Sequence, residues 1–230
     1  CNAGFAHVET EYVLFLNPDA VLEPDALRVM LAFMEAHPRC GLSGPAMLYP
    51  GGGLQAAGML LTPSGVIKAA AGLGLRAFPT RREIEPGSAP FITNWVCGAC
   101  MLLPTAVYRE VGMMDSRFFL YFEETDLCQK IRAHGYEIFA LGEAVIGHEG
   151  GASAKDSGRT LNEGCIAEFF FASRYYYLTK NFGRVPAVAS ELGELALLAG
   201  RTLFDRARRM DRNLLRERLE GPVFRAPKRL

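Results

Sequence analysis

The sequence is informative first for what it lacks. It contains no apolar run approaching the ~18 residues of a membrane-spanning helix. No charge sign dominates, since 25 lysines and arginines balance 25 aspartates and glutamates. A binder that grips the nucleic-acid backbone through a global positive field is thereby excluded. There is no internal repeat and no low-complexity block. Histidine is sparse, with four residues, and tryptophan occurs once. The six cysteines, at 1, 40, 97, 100, 128 and 165, lack the pattern of a disulfide scaffold. Most sit in apolar runs, where cysteine packs as a small hydrophobe. A reduced, cytosolic setting is expected. Cys97 and Cys100 form a C-x-x-C, but the second half of a zinc site is missing, so two small strand residues are the expected reading.

What is present is enough apolar residue, half of the 230, for one sizeable core. "EYVLFL" reads as a buried strand, "EPDALRVMLAFMEAHP" as a helix with Leu27, Met30, Leu31 and Met34 on one face, and "CGLSGPAMLYP" as a second strand. That alternation is the signature of a parallel α/β sheet. Residues 51 to 92 are irregular and read as short strands plus a long surface loop. A buried strand is expected over Cys97–Leu103, a short helix in "PTAVYREVG", a helix over about 124 to 134 with Leu127 and Ile131 inward, a strand in "YEIFAL", and an aromatic helix ending near Gly183. From 184 the chain changes character. It is apolar at first, though it carries Glu191 and Glu194, then strongly basic. Two readings fit that tail: an amphipathic helix on an anionic membrane surface, or a solvated terminal helix.

Three constellations carry chemistry. Asn17-Pro18-Asp19 follows a buried strand abruptly, and proline cannot extend the ladder, so the chain must turn there. Ligands of α/β sheets bind at the carboxyl ends of strands. A carboxylate at that rim suits Mg²⁺ or Mn²⁺ held together with substrate phosphates; an Asx turn capping the next helix fits equally. Glu123-Glu124-Thr125-Asp126 opens a helix between apolar flanks. These acids either complement the helix dipole or supply a general base, with Asp126 as a structural residue. His148, in the glycine-rich "GHEGGAS", is well placed for a metal ligand.

Together, "CNAGFAHVETEYVLFLNPDAVLEPDAL", "WVCGACMLLPTAVYREVGMMDSRFFLYFEETDLCQKIRAHGYEIFALGEAVIGHEGGAS" and "RYYYLTKNFG" resemble family 2 glycosyltransferases of the GT-A fold, close to rhamnosyltransferase-like members. The resemblance spans residues 1–183 as a partial catalytic domain, with 184–230 as a helical, basic tail. It implies an α/β fold with a mostly parallel sheet flanked by helices. It also implies inverting transfer of a sugar from a nucleotide-diphosphate sugar to an acceptor hydroxyl, in cell-surface polysaccharide or glycolipid synthesis. The family's D-x-D motif falls on Asn17-Pro18-Asp19, so Asp19 is implied as metal ligand and Asn17 with Asp19 as donor contacts. His148 matches the family's metal-binding histidine, with Mg²⁺ or Mn²⁺ as cofactor. Glu124 takes the catalytic-base position, with glutamate in place of the family's aspartate. Trp95, Gly98, Ala99 and Glu123 are implied to line the sugar and acceptor pocket, although a core position also fits Trp95. The implied partners are a nucleotide-sugar and a saccharide or lipid-linked acceptor, with no nucleic acid. The implied location is cytoplasmic, with peripheral contact to the inner face of the membrane through the tail. Because the chain opens at Cys1, inside a loop of the family pattern, the first strand–helix–strand unit, which binds the nucleobase, is expected to be missing. A non-catalytic relative that binds carbohydrate is the rival reading. A nucleotidyltransferase would need a basic glycine-rich loop, which the sequence does not contain.

Overall fold

The computed structural model describes residues 1–74, 78–149 and 165–204, together with 215, 216, 218 and 219. The glycines after Glu149, the start of the aromatic segment and most of the basic tail lie outside the described residues. The chain forms two compact units.

The first unit holds the sheet. Its strands are β1 (Tyr12–Leu16), β2 (Ala20–Leu22), β3 (Cys40–Leu48), β6 (Phe91–Thr93), β7 (Cys100–Pro104) and β8 (Glu137–His148), and a separate two-stranded ribbon pairs β4 (Ala56–Ala57) with β5 (Arg82–Glu83). The sheet order is β1-β7-β3-β8-β2, with β6 also on β8. The long central pair β3–β8 is parallel, and β1 points the same way, because β7 is antiparallel to both β1 and β3. The expected parallel signature therefore appears in the direction of β1, β3 and β8. The reversed strands β2, β6 and β7 make the sheet mixed.

Alternation along the strands explains why they read as unbroken apolar runs. Met101 and Leu103 of β7 pack on one face with Leu42, Ala46, Val107, Leu127 and Ile131; Cys100 and Leu102 pack on the other with Cys40, Met30 and Met34. A sheet covered on both faces needs no polar side. Helices α4 (Thr105–Glu110) and α5 (Glu123–Ala133) supply the first face and α2 (Ala26–Ala36) the second, while the short α1 (Asn2–Phe5) adds Phe5. Leu127 and Ile131 are buried as expected. On α2 the buried stripe is Ala26, Met30 and Met34, and Leu27 is exposed, so the inner face repeats at i, i+4, i+8. Gly135 ends α5 at φ 87°, a backbone region that costs glycine little.

Three expectations need correction. The strand expected over Cys97–Leu103 begins only at Cys100, and residues 97–99 form a turn before it. The strand in "YEIFAL" is twice as long, running to His148. Within the irregular stretch a helix, α3 (Pro63–Lys68), is capped by Thr62, whose hydroxyl accepts from the Gly65 amide at 3.1 Å.

The second unit contains α3 with a π-helical extension (Ala69–Leu73), residues 118–122, α6 (Cys165–Phe182) and α7 (Arg184–Phe204). Its core is aromatic: Phe118, Phe122 and Tyr177 pack with Val66, Leu178 and Ala187. The two glutamates that looked out of place in an apolar helix are explained here. Arg174 of α6 donates to Glu191 at 3.1 Å and to Glu194 at 3.1 Å, and all three are buried. Buried carboxylates are tolerable only when paired and hydrogen-bonded in this way. No described helix is long and apolar enough to cross a membrane.

Leu103 is fully buried between β1, β3 and α4 neighbours, whereas Val21 is 71% exposed. Leu103→Ala should cost about 2–5 kcal/mol, and Val21→Ala about 0.5 kcal/mol or less, read as urea midpoints at unchanged slope.

Candidate active site

The site grows from the end of β1. Pro18 stops the ladder, the Ala20 amide donates to Asn17 O at 3.1 Å, and the reversed chain enters β2. β2 is antiparallel to β8 with Ala20 opposite His148. That register brings Asp19 beside the imidazole, with Asp19 Oδ1 and His148 Nε2 3.4 Å apart. The Glu149 amide donates to Asp19 O at 3.1 Å and closes the junction. Two residues separated by 129 positions in the chain thus meet because of one short strand. Asp19 is half-buried, His148 is buried, and Asn17 stays exposed.

The opposite wall is the turn 97–99. Asn17 N donates to Ala99 O at 2.9 Å, so the Asn17-Pro18-Asp19 turn and this one are stitched together. Gly98 lies against Glu124: a Cβ on Gly98 would sit 3.2 Å from Glu124 Cβ and 3.3 Å from its Cγ. A side chain at this position would have to push Glu124 aside by a few tenths of an ångström. Cys97, half-buried, lies within the fields of Glu124, Asp19 and Glu123, and burial pushes its thiol up to about 11. It is therefore a neutral spacer between the two acidic centres, a role its apolar surroundings in sequence gave no reason to expect.

Glu124 stands in the first turn of α5. Burial raises its pKa most, the Glu123 carboxylate next, and together they push it up to about 7; first-turn amides and the Thr125 hydroxyl pull the other way. Thr125 Oγ1 donates to Glu124 Oε1 at 3.1 Å and accepts from Trp95 Nε1 at 3.1 Å. Trp95 is buried in the core, so it supports Glu124 from behind through Thr125. Ala99 is also buried and contributes its carbonyl to the turn contact; neither side chain forms an open wall. Glu123 is raised by burial, and its Oε2 is buried without a hydrogen-bond partner among the described residues. Asp126 is fully buried and lies 3.7 Å from Lys130, a structural position.

A divalent cation is the group implied for this place, and the donors fit it. A hard carboxylate oxygen and an imidazole nitrogen converge at one point, and among the described residues no cluster of three or more His, Cys, Asp or Glu forms a complete cage. A pair of protein ligands that leaves room for phosphate oxygens is how Mg²⁺ commonly binds in nucleotide sites.

Residues 1–110 match the family model described as Glycosyl transferase family 2. The chain is similar to that family over this stretch. Its relatives agree. The N-acetylglucosaminyl-diphospho-decaprenol L-rhamnosyltransferase of Mycobacterium tuberculosis is 24% identical over 221 residues, covering 90% of this chain and 70% of that protein. The O-antigen biosynthesis protein RfbC of Myxococcus xanthus is 28% identical over 149 residues, 63% of this chain but 11% of that protein. Among solved structures, GalNAc-T7 with UDP, GalNAc and Mn²⁺ superposes with a TM-score of 0.51 at 11% identity, covering 78% of this chain. The chain spans 36% of that structure's length. At such identity the likeness is one of fold, the GT-A architecture.

Carboxyl titration by NMR should find the Glu124 midpoint near 7, and Glu123→Gln should lower it by removing the neighbouring charge. An unchanged midpoint in that variant would mean that burial alone sets the value.

Proposed function

We propose that the protein is an inverting glycosyltransferase that moves a sugar from a nucleotide-diphosphate sugar to an acceptor hydroxyl in polysaccharide or glycolipid synthesis. The observation that carries this reading is the joint placement of Asp19 with His148 on one side of the 97–99 turn and Glu124 on the other. The family-model match over residues 1–110 and the rhamnosyltransferase relative support the reaction class.

Each group has a distinct task. Asp19 and His148 hold the cation, with Asn17 at the exposed lip toward the donor. When bound, Mg²⁺ or Mn²⁺ neutralises charge on the departing nucleoside diphosphate. Glu124 accepts the proton of the incoming hydroxyl, and the oxygen then attacks the anomeric carbon from the face opposite the leaving group, which inverts its configuration. A carboxylate with a pKa near the working pH combines a useful ionised fraction with real basicity. Glu123, whose buried oxygen lacks a partner, is suited to accept a hydrogen bond from a second hydroxyl of the acceptor. Gly98 keeps the floor of the pocket open. Thr125 and Trp95 fix the base rather than touch substrate.

We place a lipid-linked saccharide as the acceptor class, following the decaprenol-bearing name of the relative. A cytoplasmic setting accords with the free Cys40, Cys97, Cys100 and Cys128. Peripheral membrane contact through residues 184–230 stays a proposal resting on the basic composition of that segment.

Calorimetry with a panel of nucleotide-sugars, followed by transfer assays on the one that binds, tests the reading. Glu124→Gln should abolish transfer and leave donor affinity nearly intact. In the wild type the rate should rise with pH through about 7 and level off above it, because the base works only when ionised. Survival of activity in that variant would move the base to Glu123. Chelation of divalent ions should stop turnover, and Mn²⁺ or Mg²⁺ should restore it; metal-independent transfer would remove Asp19 and His148 from their roles.

A further inference from the structure

An imidazole that holds a metal usually has its other nitrogen tied to a carboxylate or carbonyl, which fixes the plane of the ring. His148 has no such tie: its Nδ1 is buried without a hydrogen-bond partner among the described residues. The β2–β8 register fixes where its backbone lies but leaves the ring free to turn about its side-chain bonds. Something else must set the plane.

Tyr49 occupies that position. The parallel register of β3 with β8 pairs Leu48 with Gly147, so the next residue along β3 falls beside the next along β8. The Tyr49 ring centroid is 5.6 Å from that of His148, with the planes tilted by 41°. Tyr49 is itself held at three points. Its amide donates to Gly53 O at 2.9 Å, its carbonyl accepts from the Gly52 amide at 3.0 Å, and its hydroxyl donates to Gln55 Oε1. Gln55 is fixed in turn, its backbone amide donating to Met47 O at 3.1 Å and its Nε2 to Ala56 O at 2.9 Å.

We propose that Tyr49 is a positioning residue for the metal pair: its ring, seated by the backbone of the Tyr49–Gly53 turn, is the wall that keeps His148 Nε2 facing Asp19. Packing here replaces the missing hydrogen bond. The inference rests on the cation-binding reading of Asp19 and His148, and the test separates the two.

The readout is Mn²⁺ binding, followed by the loss of the free-ion EPR signal, on the chain without nucleotide or sugar. The variants are Tyr49→Phe, Tyr49→Leu, Tyr49→Met and His148→Ala, each checked for an unchanged melting transition. The ring should suffice: Tyr49→Phe should stay within about two-fold of wild type, while Tyr49→Leu and Tyr49→Met weaken binding by about ten-fold, the scale of lost outer-sphere support. Wild-type affinity in both aliphatic variants would overturn the proposal. So would equal weakening in Tyr49→Phe, which would assign the effect to the hydroxyl. If His148→Ala matches wild type, the cation-binding reading falls and takes this inference with it. A loss in His148→Ala with no change in the aliphatic variants sinks the inference alone.

Discussion

The antiparallel pairing of β2 with β8 is the contact on which the site depends. β2 is only three residues long, yet its register sets Ala20 against His148 and so delivers Asp19 to the imidazole. Pro18 makes this possible by ending the β1 ladder and forcing a reversal. The amide of Glu149 on the carbonyl of Asp19, and that of Asn17 on the carbonyl of Ala99, pin the reversal at both ends. A slip of β2 by one residue along β8 would turn its side chains to the other face and carry Asp19 away from the imidazole. The placement of Asp19 beside His148 is thus set by backbone hydrogen bonding.

Two acidic centres are kept apart in character by their surroundings. Asp19 faces an imidazole across a turn open to solvent. Glu124 is crowded by a second carboxylate and by apolar neighbours, and its affinity for a proton rises accordingly. One fold can hold two carboxylates of different character by such contrasts of environment. The 97–99 turn is the partition, and its small residues let the two centres stand close to the same space.

Much of this was legible in the chain. "YVLFL", "CMLLP" and the helix carrying Leu127 and Ile131 announced themselves, because burial on both faces or along one stripe writes itself into apolar spacing. The abrupt stop at Asn17-Pro18-Asp19 and the acids between aromatic runs drew attention to residues that the fold gathers around the 97–99 turn. What stayed hidden depends on partners far along the chain. A strand as short as Ala20–Leu22 has no period to read, and the boundary at Cys100 could not be told from the apolar residues before it. Trp95 fitted a pocket or a core position, and its burial and its bond to Thr125 could not be read from spacing. Nothing in the apolar start of the tail accounted for Glu191 and Glu194, because their partner Arg174 lies on another helix.

Tyr121 and Phe122, immediately before Glu123, both adopt φ 68°. For bulky residues this left-handed backbone is a store of tension, on the order of 1–3 kcal/mol at each position. The aromatic contacts of Phe122 with Phe170 and Tyr177 are what hold its ring against relaxation. Glycine at either position would adopt the same backbone without that tension.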